Sequence, residues 1–245
     1  MEEVLAELIQ RATLGDRAAV IGDIHGSAQL LRRLLAKLED RAIVVAGDVC
    51  DRGPDTRNVI DQLIAVDARG VLGNHDLWLR DWACGRGLDD FALHPAMGGR
   101  ATLESYGATG TFAELEAARW RVPNDHAGWL DSLPLALSIE VAGRDFWVVH
   151  AGLLRQLRFP EAVEGRVEWA VRKYGPRMCW GKCLPRACVE AEAPVIMGHV
   201  PLTSPEDHGH CIAVDTGAGT WGDSGGLTAV LLPERSFVSV SASSA

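Results

Sequence analysis

The chain has 245 residues, 47% of them hydrophobic, and a formal net charge of −9. That is enough apolar material for a sizeable core, with no run near the roughly 18 to 20 apolar residues of a membrane-spanning helix. The acidic balance speaks against nonspecific nucleic-acid binding, and Met1-Glu2-Glu3-Val4 lacks the cationic start of a signal peptide. The expectation is a cytoplasmic protein with no membrane or nucleic-acid partner. Six cysteines (Cys50, Cys84, Cys179, Cys183, Cys188, Cys211) without a signal do not make a disulfide scaffold. The spacing of Cys179, Cys183 and Cys188 is not the paired C-x-x-C of a zinc site, so reduced structural thiols are expected.

Residues 2–14 alternate acids with Val4, Leu5, Leu8, Ile9 and Ala12, which predicts a short leading helix. Arg17 to Gly22 reads as a strand running into Asp23-Ile24-His25-Gly26. Positions i and i+2 at a strand end point the same way, so Asp23 and His25 can face one ion together. Ser27 reads as an N-cap, and Leu30, Leu31, Leu34, Leu35 and Leu38 give an amphipathic helix. Ala42 to Ala46 is a buried strand feeding Gly47-Asp48-Val49-Cys50-Asp51-Arg52-Gly53, followed by Pro54 and a helix over Thr56 to Val66. Arg69 to Leu72 is a third strand, ending in Gly73-Asn74-His75-Asp76 before a helix carrying Leu77, Trp78, Leu79 and Trp82. Three strand–turn–helix units predict an α/β fold with a substantially parallel sheet. Their turns are where such sheets bind ligands.

Residues 84–132 are Gly-rich and then helical in pieces broken by Gly107, Gly110, Pro123 and Gly128. A cap-like insertion within one domain spanning 1–245 is the reading, since such loops carry specificity. Trp120 and Trp129 either line the site or pack internally, with buried packing preferred. Ala136 to Val141 and Arg144 to Val149 form a hairpin through Ala142-Gly143, its second strand ending at His150-Ala151-Gly152-Leu153. Residues 161–174 read as helix. Pro194 to Met197 is a buried strand ending at Gly198-His199-Val200-Pro201, and Ile212-Ala213-Val214 leads into Asp215-Thr216-Gly217. Leu227–Leu232 and Ser236–Val240 are closing strands, and the tail 241–245 is expected to fray.

Asp23, His25, Asp48, Asn74, His150 and His199 all follow apolar strands. Alone, an Asp or Asn in a turn serves turn geometry, and a lone His is more often hydrogen-bonded than a ligand. Six at strand ends resist that explanation. Mixed carboxylate, amide and imidazole donors suit Mn²⁺, Fe or Zn²⁺.

Together, Gly-Asp-Ile-His-Gly (22–26), Gly-Asp-Val-Cys-Asp-Arg-Gly (47–53), Gly-Asn-His-Asp (73–76), His-Ala-Gly-Leu (150–153) and Gly-His-Val-Pro (198–201) resemble the calcineurin-like metallophosphoesterases. More narrowly, they are similar to bacterial PPP-type serine/threonine protein phosphatases and symmetrical diadenosine tetraphosphate hydrolases. The closing Asp-Thr-Gly-Ala, Gly-Gly-Leu-Thr-Ala and Leu130-Asp131-Ser132-Leu133-Pro134 also match, so the resemblance spans roughly residues 18–232. It implies a β-sandwich of two mixed sheets flanked by helices, with a dinuclear metal site at the C-terminal ends of the strands. Asp23 and His25 would hold one metal, Asp48 both, and Asn74, His150 and His199 the other. Mn²⁺ is the first choice, with Fe or Zn²⁺ as alternatives. His75 would be the general acid, oriented by Asp51, while Arg52 and Asn74 would bind phosphate. A hydroxide bridging ions about 3.5–4 Å apart would attack phosphorus directly, and His75 would protonate the leaving oxygen.

Three positions depart from the family pattern. Cys50 replaces a small aliphatic residue, and Asp76 replaces the commoner Glu. Trp180-Gly181-Lys182 stands where relatives often carry a second phosphate-binding Arg. Lys182 supplies charge without a bidentate fork, and Arg186 and Arg177 are alternatives. His94, His126, His208 and His210 read as solvated or placed behind the ligands, and Trp78 and Trp82 as core. The implied activity is hydrolysis of phosphomonoesters, first of phosphoserine and phosphothreonine in proteins. The alternative is symmetrical hydrolysis of a dinucleoside polyphosphate such as diadenosine tetraphosphate, with residues 84–132 supplying a nucleoside pocket. The partner is thus a phosphorylated protein or a small phosphoester. A catalytically silent scaffold is the distant third, and the intact ligand set counts against it.

Overall fold

The computed structural model describes residues 8–157, 159–160 and 165–241. In chain order its strands are β1 (Ile9–Thr13), β2 (Ala18–Ile21), β3 (Ala42–Val45), β4 (Arg69–Gly70), β5 (Ala136–Val141), β6 (Arg144–Val149), β7 (Val195–Met197), β8 (Glu206–Asp207), β9 (Cys211–Ala213), β10 (Asp215–Thr216), β11 (Gly226–Leu232) and β12 (Ser236–Ser241). The helices are α1 (Ala28–Leu35), α2 (Thr56–Ala65), α3 (Asn74–Ala83), α4 (Gly99–Ser105), α5 (Phe112–Ala117), α6 (Asn124–Ser132) and α7 (Arg166–Tyr174).

Strand alternation sorts these elements into layers. In β2 and β3, Ala18, Val20 and Val44 meet Leu137, Ile139, Val148, Ile196 and Ile212 of the facing sheet. The alternate residues Ala19, Ile21, Ile43 and Val45 pack outward against Leu31 and Leu34 of α1, Val59, Ile60 and Leu63 of α2, and Leu79 and Trp82 of α3. On the far side, Ala136, Trp147, Val149, Val195 and Met197 pack against Val167, Ala170 and Val171 of α7. The result is a sandwich of two mixed six-stranded sheets. One has the order β1-β5-β6-β7-β9-β8; the other runs β10-β11-β2-β3-β4 with β12 beside β11. Within them β2, β3 and β4 are mutually parallel, as are β6, β7 and β9, so their C-terminal ends gather the turns that carry the polar residues. The mixed, helix-flanked sandwich and the clustering of metal-capable residues are as the resemblance implied.

Residues 9–13 are a strand where the pattern predicted helix: β1 lies parallel to β5, pairing Ile9 with Ala136 through Thr13 with Glu140. Short amphipathic runs read ambiguously, and here the open edge of β5 decides, because its backbone groups need partners. Residues 1–7 of that predicted helix lie outside the described residues. The helix predicted over 161–174 starts at Arg166, with 161–164 outside the described residues. The segment predicted to fray enters β12 through Ser241; 242–245 lie outside the described residues. All six cysteines are free. Among the described residues no helix is long and apolar enough to cross a membrane.

In the 84–132 segment, α4 and α6 pack on α2, and α6 also on α3. Trp129 packs internally, its indole N–H donating to the Ala68 carbonyl at 2.9 Å. Trp120 does not take the buried packing preferred for it: it is 73% exposed, under the Arg121 guanidinium.

Candidate active site

The backbone at the strand ends is unusually bent. His25, Asp48, Asp51, Arg52 and His199 all have left-handed φ, at 44°, 52°, 73°, 64° and 69°. For non-glycine residues such conformations cost energy and persist only where the surroundings over-determine them. The surroundings do so here. The amides of Ile24 and His25 both donate to the Asp48 carbonyl at 3.0 Å, Gly26 donates to Val49 O, and Gly53 donates to His25 O. Two glycines are required by close approach: a Cβ on Gly73 would collide with Asp48 Oδ1, and one on Gly198 with Asp23 Oδ1. Asp76 accepts from the amides of Asp48 (2.7 Å), Val49 (2.9 Å) and Gly73 (2.9 Å). Its buried carboxylate thus ties the second turn to the third, and burial, with Asp48 adding, raises its pKa to about 6. Cys50 is fully buried, and burial pushes its thiol pKa well up.

These turns bring Asp23, His25, Asp48, Asn74, His75, His150 and His199 to one place. Among the described residues two groups could hold a cation, His25–Asp48–His75 and Asp48–His150–His199, with ligand atoms inside each lying within 4.8 Å of one another. Asp48 belongs to both. Its Oδ2 is 3.3 Å from His150 Nε2, 3.7 Å from His25 Nε2 and 4.0 Å from His75 Nε2. Asn74 Oδ1 lies 3.2 Å from His150 Nε2, which is itself 3.2 Å from His199 Nδ1. Asp23 Oδ2 is 3.9 Å from His25 Nε2, and its carboxylate accepts from the His199 amide at 3.1 and 3.2 Å. The carbonyls of Cys50 and Ala46 accept from Nδ1 of His25 and His150, each at 2.8 Å. That fixes both rings with Nε2 toward the cluster. Convergent imidazole, carboxylate and amide donors, two of them ring nitrogens in contact, are a set suited to a divalent cation. His199 Nε2 is buried with no partner among the described residues.

Electrostatics set the protonation. Burial would lower the pKa of His150, but Asp48 overrides it and raises the value to about 10. Asp48 is held well below the usual carboxylate range against burial, chiefly by His150 and His75. Burial lowers His25 to about 3 and, with His150 adding, His199 to about 4. Burial and then Asp215 raise Asp23 well above its ordinary value.

Beside the cluster, His75 Nδ1 lies 2.7 Å from Asp51 Oδ2. The Trp78 indole N–H donates to the same oxygen at 2.9 Å. The Thr102 hydroxyl donates to Asp51 Oδ1 at 2.9 Å and accepts from the Asp51 amide at 2.8 Å. The Arg52 guanidinium reaches His25 Nε2 at 2.6 Å, His75 Nε2 at 3.1 Å and Thr220 Oγ1 at 2.7 Å, while the Arg52 amide donates to Gly98 O at 3.2 Å. Lys182 is exposed and, among the described residues, makes no hydrogen bond to the cluster. Its charge is nonetheless among those lowering His199. Arg177 and Arg186 are also exposed.

Thr102, Thr220 and Asp215 were not singled out from the sequence. Asp215 follows an apolar strand as the others do, is buried, and has its pKa raised to about 6 by burial; the strand-end signal could have found it. Thr102 and Thr220 carry no such signal. His126, read as solvated or placed behind the ligands, is instead buried away from the cluster between Tyr106 and Asp61, at 2.9 Å from each.

The calcineurin-like phosphoesterase profile matches residues 17–231. The asymmetrical bis(5'-nucleosyl)-tetraphosphatase PrpE of Oceanobacillus iheyensis is 28% identical over 251 residues, covering 90% of each chain. A symmetrical bis(5'-nucleosyl)-tetraphosphatase of an Acidovorax species is 33% identical over 156 residues, 60% of this chain and 49% of that one. The chain thus spans about half the length of that symmetrical relative. Two solved structures share the fold. One, provisionally named a diadenosine tetraphosphatase, gives a TM-score of 0.61 at 20% identity over 96% of this chain and 99% of its own. The other, a serine/threonine phosphatase from Saccharomyces cerevisiae, gives 0.51 at 16% identity over 92% and 76%. With its motifs on the ends of the two sheets and its profile match over most of its length, the chain belongs to the calcineurin-like phosphoesterase family and is a metallophosphoesterase.

Proposed function

We propose that this metallophosphoesterase hydrolyses dinucleoside tetraphosphates. The observation that carries the reading is the similarity to PrpE over 90% of both chains, supported by the grouping of His75, Asp51 and Arg52 beside the metal-capable cluster. Among the substrate classes raised by the sequence, the relatives' names favour the dinucleotide over the phosphoprotein. Coverage of 90% of both chains, against 60% and 49% for the symmetrical relative, further favours asymmetrical cleavage, giving AMP and ATP from diadenosine tetraphosphate.

In this reading Asp23 and His25 would hold one divalent cation, Asn74, His150 and His199 a second, and Asp48 would serve both, with Mn²⁺ the first candidate. When bound, the pair supplies Lewis-acid charge for phosphoryl transfer to water. Arg52 turns its planar fork from His25 and His75 onto phosphoryl oxygens, with Asn74 and Lys182 beside it. His75 gives the Nε2 proton to the leaving phosphate oxygen, and Asp51 holds Nδ1 so that the ring keeps that orientation. Residues 84–132 act as a cap whose Thr102 and Gly98 brace Asp51 and Arg52.

Protein stripped with chelator and reloaded with Mn²⁺ is offered diadenosine tetraphosphate and a phosphothreonine peptide side by side. Faster cleavage of the dinucleotide, with AMP and ATP as products, is expected. ADP as sole product would return the symmetrical mode. Faster release of phosphate from the peptide would overturn the substrate assignment.

A further inference from the structure

We propose that Phe91 and Trp180 form the stacking surface for one nucleobase of the substrate, an inference that rests on the dinucleotide reading above. Phe91 lies in a short 3₁₀ turn, Asp90–Leu93, and Trp180 ends another, Gly175–Trp180. The rings meet at a centroid distance of 6.0 Å and an angle of 50°. Both stay open to solvent, at 47% and 44% exposure. His94 stacks on Phe91 at 5.9 Å and 21°, which steadies that ring. Trp78 and Trp82, by contrast, are spent on the core.

The backbone around each ring leads to the candidate site. On the Phe91 side, the His94 carbonyl accepts from the Gly98 amide at 3.2 Å, and the Gly98 carbonyl accepts from the Arg52 amide at 3.2 Å. On the Trp180 side, the adjacent Cys179 thiol donates to the Leu72 carbonyl at 3.4 Å, just ahead of the turn that carries Asn74 and His75, and Lys182 follows two residues after Trp180, a Cα separation of about 7 Å at most. In this proposal a polyphosphate lying between Arg52 and Lys182 brings its nucleoside end to the solvent-exposed side of the two rings. A base stacked on aromatic rings loses apolar area to water whatever its hydrogen-bonding edge, so the surface is tolerant of base identity.

The test compares wild type, Trp180→Ala, Trp180→Phe and Phe91→Ala, loaded with Mn²⁺, on diadenosine tetraphosphate and on inorganic tetraphosphate, which has the phosphates without the bases. Both positions are exposed, so truncation leaves the core intact, and circular dichroism checks this. The expected result is a fall of about tenfold in the ratio of kcat/KM for the dinucleotide to that for inorganic tetraphosphate in Trp180→Ala, carried by KM. Phe91→Ala shows a smaller fall, and Trp180→Phe recovers most of the loss. Diguanosine tetraphosphate should respond as the adenine substrate does. An unchanged ratio would overturn the proposal while leaving the dinucleotide reading intact. A raised KM in Leu30→Trp, which narrows the cavity of about 470 Å³ lined by Leu30, Arg52 and Pro54, with Trp180→Ala silent, would move the base there instead. Wild type that cleaves phosphothreonine peptide and not the dinucleotide would remove both the reading and the platform.

Discussion

The half of the site carried by β2, β3 and β4 is laced together by its own backbone, whereas the half carried by β6 and β7 is braced largely from outside. In the first half, Asp23, His25, Asp48, Asp51 and Arg52 sit in two turns joined by four amide-to-carbonyl bonds, and Asp76 ties in the third turn. In the second half one such bond, from the Gly198 amide to the His150 carbonyl at 2.9 Å, joins the turns, and the remaining support comes from the first half: His150 is anchored through Nδ1 to the Ala46 carbonyl of β3's turn, and the His199 amide rests on Asp23. The second half thus borrows its geometry from the first. Asp48 is the hinge of the arrangement, with imidazoles from both halves within 4.0 Å of one carboxylate oxygen. A site divided this way concentrates its vulnerability at the junction and spreads its tolerance toward the rim.

The largest effect is therefore expected at that junction. Asp48→Asn should lower kcat/KM by about 10³-fold or more, the scale of losing a principal charge-stabilising group, and weaken binding of both cations. Near-normal turnover would break the idea of a shared carboxylate. Within the first half, His75→Asn should cost about 10²- to 10⁴-fold. The loss should be greatest for substrates with poor leaving groups and least for an activated aryl phosphate. Equal losses on both would remove His75 from the role of acid.

Protonation sharpens the contrast between the halves. His25 and His199, with pKa values of about 3 and 4, are neutral near pH 7, whereas His150, raised to about 10 by Asp48, carries a proton in the metal-free protein. A cation must displace that proton, and competition from it eases as pH rises toward 10. Mn²⁺ affinity should thus climb by about tenfold per pH unit between pH 6 and 8. Calorimetry in buffers of different ionisation enthalpy should register the released proton; a pH-independent affinity would contradict the Asp48–His150 pairing.

Smaller effects lie at the supports. Thr102→Val removes the hydroxyl that holds Asp51 and should lower kcat by about 10-fold, the low end for a residue orienting a functional group, with the leaving-group dependence of His75→Asn. Loss independent of the leaving group would mean that Thr102 acts through folding alone. Lys182→Ala should change kcat/KM by fivefold at most, because an exposed charge is worth about 1 kcal/mol or less. Lys182→Arg, with its planar fork, should match or exceed wild type. A Lys182→Ala loss as large as that of His75→Asn would relocate the centre of phosphate binding.

What could be read from the sequence follows the same division. Asp23, His25, Asp48, Asn74 and His75 each end an apolar strand and open a helix or turn, so local pattern alone gathers them. His150 and His199 end strands of the other sheet and were legible by the same signal. Contacts made across long separations were not legible. Thr102 reaches Asp51 from a segment whose pattern showed only broken helix, and Trp180 meets Phe91 from a position 89 residues away. Strand β1 was misread because a five-residue amphipathic run cannot distinguish its two periods without knowing that β5 offers an edge. The two-residue strands β8 and β10 are too short to show any period.

We propose that the two halves meet on one carboxylate to form a dinuclear centre. The most direct test is the Mn²⁺ stoichiometry and electron paramagnetic resonance of reloaded wild type and Asp48→Asn. The account predicts two ions per wild-type chain with an exchange-coupled signal, and loss of that coupling with weakened binding of both ions in the variant. One ion per chain in wild type, or two coupled ions surviving in Asp48→Asn, would contradict it.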